Sequence, residues 1–550
     1  MMNSWLMLLF SLALCFSISW GALSSIYDYD TFTPFTQTAD EFITCIQSNI
    51  TTNETSINQL ILTPANSSFL PTWQVGVHML RFNKSSTPKP SVIVTPIDEF
   101  QIRTVLLCAK QVGYELRIRD GGHDFEGLSY TANVPFVMLD LNIMRSVDVD
   151  VANRTAWVQP GAVLGEVYYG ISQASNNTLY FTGGLCATVG ISGFVTGGGY
   201  GYLLRKYGLG ADNVIDVRFM DVNGNILNRT TMGEDLFWAI RGGMASSFGI
   251  VLEWKLRLLP VPEIVTVFNV NKTLEQNATE IVYKYQYVVP KIDRNLVIRS
   301  QLTTEFIGNT TQQTIRVFFF GLYLGSSDTL LELLDEKFPE LNVTREVCQE
   351  VPMVQASIIL GGFPSNTTPD ILLTRPDIIR VYGKQKLDYV RTPIPISGLE
   401  KIWRKMFETN GTFSIFLHPY GGIMDDFSET VIPFPHRAGV LYHLHQIMSF
   451  AGEASDTTPV SLQRISWIRG FFEFIASYVS KNPREAYINY NDLDLGVESD
   501  TYAEASVWGE RYWGRSNFKK LIRIKARVDP GNFFRHPQSI PVFSKSLADM

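Results

Sequence analysis

Between Gly183 and Gly208 the chain reads GGLCATVGISGFVTGGGYGYLLRKYG, with three consecutive glycines at Gly197, Gly198 and Gly199 and a single cysteine, Cys186. Glycine at this density weakens a helix or a strand, so such a run persists where main chain must pass close to other main chain or to a ligand. Two explanations fit the run taken alone: a tight structural loop, or bare amides that approach a phosphate. No Lys-Ser/Thr pair follows it, and its spacing is not that of a dinucleotide fingerprint, which removes the P-loop and Rossmann folds. A second segment, RIRDGGHDFEGLSY from Arg117 to Tyr130, has the same character. There a strand-like stretch ends in Gly121 and Gly122 and turns to present His123, leaving amides free to face an anion.

The 550 residues are 45% hydrophobic and 18% charged, enough apolar material for two packed cores. A net charge of -7 with no long basic run excludes nucleic acid and anionic membrane surfaces as partners, since either needs a clustered positive field. A small, largely uncharged ligand and a monomeric protein are expected. Trp5 to Trp20 form an apolar stretch too short to span a membrane, followed by Gly21, Ala22, Ser24 and Ser25. This is the pattern of a secretory leader over residues 1–25, although no Lys or Arg precedes it and a buried N-terminal helix is the alternative. Asn-x-Ser/Thr acceptors recur from Asn49 to Asn410, which implies export to the cell exterior, wall or vacuole with N-linked glycans. Without the leader the cysteines are Cys45, Cys108, Cys186 and Cys348; none of their spacings suits zinc, and a pair such as Cys45 with Cys108 could be bridged in an oxidising compartment.

From Pro90 to about Pro260, short apolar runs (SVIVTP, ELRIRDGGHD, FVMLDL, TAWVQPGA, DVRFMDVNG) alternate with helical patterns such as DEFQIRTVLLCAKQVG. From about Glu263 to Ser480 long alternating strands take over, among them LVIRSQLTTEFI, TIRVFFFGLYLG, FSIFLHPYGG and VLYHLHQIMSF. These patterns predict an α+β protein with a domain over 26–262, an antiparallel sheet covered by helices on one face over 263–480, and a helical, loop-rich segment over 481–550.

Together the two glycine-rich segments, with EDLFWAIRGG, PFPHRAG, NYNDLDLG and DPGNFFR, resemble the berberine bridge enzyme-like branch of the vanillyl alcohol oxidase superfamily, including its plant oxidative cyclases and Diels-Alderases. The resemblance covers nearly the whole chain after the leader. It implies a two-part FAD-binding domain, a substrate domain, and one FAD bonded through its 8α-methyl to His123 and through C6 to Cys186. An imidazole and a thiolate are the soft nucleophiles able to add to an electron-poor ring. It further implies that Gly121, Gly122, Val189, Gly190, Gly193, Gly197 to Gly199 and Asn489 surround the cofactor. Relatives that react with oxygen also carry valine at the position of Val189, so O2 is the expected acceptor and H2O2 the by-product.

Tyr490 matches a tyrosine that acts as base in cannabinoid-cyclising relatives, a role that needs a neighbour able to depress its phenol. Strand alternation puts His443 and His445 on one face, with His418 on a neighbouring strand. His445 stands where the berberine-forming relative has a glutamate base, and His443 where other relatives have glutamate or lysine. A proton-handling role for at least one of the three is expected, against the rivals of plain packing or a metal site; no metal is expected. Arg299 falls where relatives carry a neutral residue and would bind a phenolate or an acidic phenol, unless it points to solvent. Three positions depart from the family: Phe194 replaces a histidine near the flavin, Asp120 replaces the serine before GGH, and a missing tryptophan alters the expected pocket wall around Met353. Two activities fit these residues. One is a secreted FAD-dependent oxidase or oxidative cyclase acting on a prenylated phenol or similar aromatic molecule. The other is a redox-silent Diels-Alderase in the same pocket, with a carbohydrate or lignol oxidase as a third.

Overall fold

A computed structural model describes residues 37–50, 60–375, 380–409, 411–449 and 459–543. The expected leader over residues 1–25 lies outside the described residues. Among them the chain forms a four-stranded, a five-stranded and a seven-stranded sheet, with a two-stranded pair of Leu179–Tyr180 and Leu259–Pro260, in the α+β arrangement expected.

The first sheet runs Ile61–Leu62, Val92–Val94, Phe136–Asp140, Glu115–Arg119, its last three strands parallel. The crossover is the helix Glu99–Val112. Asp98 caps its start by accepting from the Gln101 amide, and Gly113, at φ 86°, ends it in a left-handed turn that a Cβ would disfavour. The helix Gln37–Asn49 packs on it and is joined to it by a disulfide between Cys45 and Cys108. The second sheet is antiparallel, in the order Val147–Asp150, Thr155–Val158, Ile250–Arg257, Val214–Met220, Ile226–Leu227. The GGH segment leaves the end of Glu115–Arg119, and the cysteine-bearing segment lies between Leu179–Tyr180 and the short helix Ile191–Thr196.

Sheet membership switches between Pro260 and Val265. The seven-stranded antiparallel sheet runs Cys348–Val351, Val265–Thr273, Gln313–Tyr323, Leu296–Phe306, Thr412–Pro419, Tyr442–Ser449, Gly383–Val390. Alternation gives it two unlike faces. Ile298, Leu302, Leu417 and Leu444 bury against the apolar stripes of the helices Ala278–Val288, Ile396–Phe407 and Pro459–Phe474. Arg299, Gln301, Phe416, His418 and His445 point the other way, into a cavity. Sequon asparagines such as Asn153, Asn271, Asn309 and Asn366 are exposed, and no helix of the described residues is long and apolar enough to cross a membrane.

The C-terminal segment closes the molecule. The long helix Tyr502–Val528 kinks at Gly514 and returns to the glycine-rich domain, where the Trp513 indole donates to the Gly242 carbonyl and the Lys525 ammonium donates to Ser247 and Phe534 carbonyls and to Asp529. Ahead of this helix, Asp492 accepts from Lys384 at 2.7 Å and Lys386 at 2.6 Å, both ammoniums 2% exposed; Lys384 also pairs with Glu126 and Lys386 with Asp494. Against burial, the two lysines hold the Asp492 carboxyl below its ordinary range. Removing one partner of a buried pair strands the other charge, so Asp492→Ala is expected to cost about 3 kcal/mol or more in urea unfolding.

Candidate functional site

A cavity of about 670 Å³ opens between the exposed face of the seven-stranded sheet and the two glycine-rich segments. On one wall stand His123 and Cys186, with Gly121, Gly122, Val189, Gly190 and Gly193; on the facing wall stand Arg299, His418 and His445; Asn489 and Tyr490 come from the C-terminal segment.

The two glycine-rich segments meet backbone to backbone. A Cβ on Gly121 would fall on the Gly190 amide nitrogen, and one on Gly190 would fall on that of Gly121. The amides of Gly121, Gly122 and His123 meet no acceptor among the described residues, while Gly193 faces open space, so these positions offer free donors and room for a phosphate. The His123 Nε2 bonds the Thr188 hydroxyl at 2.8 Å, which leaves Nδ1 as the available nitrogen; the ring stacks on His78 with centroids 3.7 Å apart. Burial, aided by His78, lowers the His123 imidazole well below its usual range, so it is neutral with a lone pair to share. Burial raises the Cys186 thiol, and Arg299 pulls it back. These groups fit FAD: free amides for its pyrophosphate and two nucleophilic side chains on the wall of one cavity.

Three of the sequence expectations are placed differently. Gly197, Gly198 and Gly199 do not line the cavity; side chains on them would run into Asn489, Phe434 and Phe194 in turn. Their density therefore has a packing cause, and of the glycines expected around the cofactor Gly121, Gly122, Gly190 and Gly193 are the ones that line the cavity. Met353 is buried in the core and forms no part of the wall. His443 shares the strand face of His445 but is covered by Tyr200, at 4.7 Å, and bonds weakly to the Tyr420 hydroxyl at 3.5 Å, so it does not reach the cavity. Phe194 does line it, and its carbonyl accepts from the Asn489 amide at 2.8 Å.

The remaining residues converge. The Tyr490 ring lies 4.4 Å from His445 and stacks on Phe125 at 5.4 Å. His445 Nε2 bonds the Gln385 Oε1 at 2.6 Å, leaving Nδ1 as its proton-accepting atom. His418 is 3% exposed and neither ring nitrogen has a partner. Burial and then Arg299 push His445 down to about 3, and burial with the neighbouring imidazole and Arg299 pushes His418 down as well. Burial raises Tyr490 well above its ordinary value, and Arg299 offsets this only in part. The cation that the sequence required beside the tyrosine is present, but desolvation outweighs it. Thr188, His78, Gln385 and Tyr202 were not apparent from sequence. Only Gln385 carried a signal, as a strand residue alternating with Lys384 and Lys386. Among the described residues no group of three or more His, Cys, Asp or Glu could hold a metal ion.

An FAD cradle joined to a sheet-walled cavity defines a flavin-dependent oxidoreductase class. The FAD-binding domain model matches residues 90–230, and the model for berberine and berberine-like proteins matches residues 486–541. The chain is 44% identical over 512 residues to Berberine bridge enzyme-like 24 of Arabidopsis thaliana, covering 91% of this chain and 93% of that protein. It is 43% identical to the tetrahydroberberine oxidase of Berberis wilsoniae over 491 residues, covering 88% and 91%. The crystal structure of Phl p 4, a grass pollen allergen with glucose dehydrogenase activity, superimposes with a TM-score of 0.84 at 37% identity, covering 92% of this chain and 100% of that one. The chain belongs to the berberine bridge enzyme-like family of FAD-dependent oxidoreductases.

Asp120 also lines the cavity. Burial, then Asp140, push its carboxyl up from 3.8 to about 7, and its Oδ1 has no partner. A raised carboxyl favours the protonated folded form, so its contribution is full below about pH 4 and is lost as the pH rises through about 7. Asp120→Asn is expected to raise the melting temperature at about pH 8 by several degrees and to leave it unchanged near pH 4, as read by thermal melts at the two values.

Proposed function

We propose that the cavity holds one FAD bonded to His123 Nδ1 and Cys186 Sγ, and that the protein is a secreted oxidase or oxidative cyclase acting on a prenylated phenol or similar aromatic molecule. The observation that carries this is the shared wall: a neutral imidazole with one nitrogen engaged and a thiol both border the space that Tyr490 and His445 face. Bound FAD supplies a two-electron acceptor for hydride, which O2 reoxidises with release of H2O2. Val189 lines the same cavity, at a position where relatives that react with oxygen also carry valine.

His445 is the better proton acceptor of the pair. Its Nε2 is engaged by Gln385 and its Nδ1 keeps a lone pair, whereas Tyr490 stays a phenol and serves to orient an aromatic guest against Phe125. Phe125, Leu185, Phe416 and Ile447 on the walls favour an aromatic substrate over a sugar, although Phl p 4 is a glucose dehydrogenase. One observation favours a second activity. Burial disarms both Tyr490 and His445 as bases, while the Arg299 guanidinium can polarise a carbonyl, which suits a cycloaddition that moves no proton.

Denatured, protease-digested protein is expected to keep its yellow chromophore on the peptides containing residues 123 and 186. His123→Ala and Cys186→Ala should each leave one attachment and the double variant none; free release from the native chain would refute the assignment. Anaerobic mixing with prenylated phenols should bleach the flavin band, whereas product without bleaching or oxygen uptake would select the cycloaddition.

A further inference from the structure

Arg299 stands on the cavity wall beside the Tyr202 hydroxyl, with no carboxylate paired to it among the described residues. Its guanidinium lies 4.6 Å from the centroid of the Phe416 ring, which fixes its plane, and its Nε has no hydrogen-bond partner. The groups around it are neutral or cationic: Tyr202 and Cys186 from the glycine-rich segment, His418 from the strand Thr412–Pro419, and His443 and His445 from the next strand. His418 is buried on that wall with both nitrogens unpartnered, the Gln385 amide nitrogen, also on the cavity, is buried without a partner, and the Tyr202 hydroxyl lies against Arg299 itself. A half-buried cation with a shielded Nε, and buried polar groups left unsatisfied, are costly unless something satisfies them.

We infer that this wall is an anion-receiving subsite, and that Arg299 with His418 takes an ionised oxygen group on an aromatic ring, either a carboxylate or an acidic phenolate. This rests on the proposed function for its location and deepens it by naming the substrate class. It differs from the largely uncharged ligand expected from a whole-chain net charge of -7. A bound anion would offset the lesser part of the His445 depression, the part that Arg299 imposes, and leave the larger part due to burial.

The test is ligand binding to the holoenzyme, followed by calorimetry and by perturbation of the flavin spectrum, neither of which needs turnover. 2,4-Dihydroxybenzoate should bind at least about tenfold more tightly than its methyl ester. 4-Nitrophenol, titrated below and above its own ionisation, should bind more tightly as the phenolate; preference in one arm alone identifies the source of the anion. Arg299→Gln should erase the preference while keeping ester affinity, and Arg299→Lys should retain part of it. Equal binding of acid and ester to the native protein, or an undiminished preference in Arg299→Gln, would overturn the inference. If Arg299→Gln does not melt cooperatively, Arg299→Lys decides: an undiminished acid preference in it sinks the subsite. Anion preference in a protein that oxidises none of the phenols would leave this subsite standing and remove the oxidase instead.

Discussion

The cluster in which Lys384 and Lys386 meet Asp492, Asp494 and Glu126 holds the site together. Lys384 and Lys386 lie on the edge strand of the seven-stranded sheet, Glu126 just beyond the GGH turn, and the aspartates two and four residues after Tyr490. Three distant parts of the chain thus meet at one dry point. Ammonium groups buried this deeply are tolerable only with carboxylates on them, so the loop bearing Asn489 and Tyr490 can settle in few places. Tyr512, donating to Gln538 and accepting from the Asp492 amide, anchors the same loop from behind. The cavity is in this sense assembled by electrostatics at its rim and by apolar packing elsewhere.

Inside the cavity the balance reverses. Desolvation decides the protonation of nearly every titratable group, keeping imidazoles neutral and phenols protonated, and Arg299 is the charge that modulates them. A site of this kind contains polar groups whose competence depends on what enters. Under the proposed function, that dependence would link substrate recognition on the sheet wall to proton transfer next to Tyr490.

Much of this was legible before the fold. Alternation in VLYHLHQIMSF put His443 and His445 on one face, which lies opposite the helices because the leucines claim the other. In LVIRSQLTTEFI the sequence left Arg299 open between cavity and solvent, and the fold turns it to the cavity. Alternation does not say how far along the face a cavity extends, and so His443, two residues from His445, ended beneath Tyr200. The glycines were legible as close approaches but not by partner: those at 121 and 190 adjoin a ligand space, whereas those at 197 to 199 admit Asn489, Phe434 and Phe194. Lys384 and Lys386 in GKQKLD look like an ordinary solvated edge, since Asp492 and Asp494 lie about a hundred residues further along the chain and Glu126 lies 258 residues before Lys384.

The contact of Gly121 with Gly190 has one more consequence. The turn bearing His123 and the segment bearing Cys186 touch through bare main chain, with no side chain between them to swell, shrink or swing. The span from ring nitrogen to sulfur is therefore gauged by peptide geometry, like the jaws of a fixed wrench. A side chain at either glycine would run into the other segment's main chain and push the two apart. The two positions therefore act as one structural unit, although 68 residues of chain lie between them.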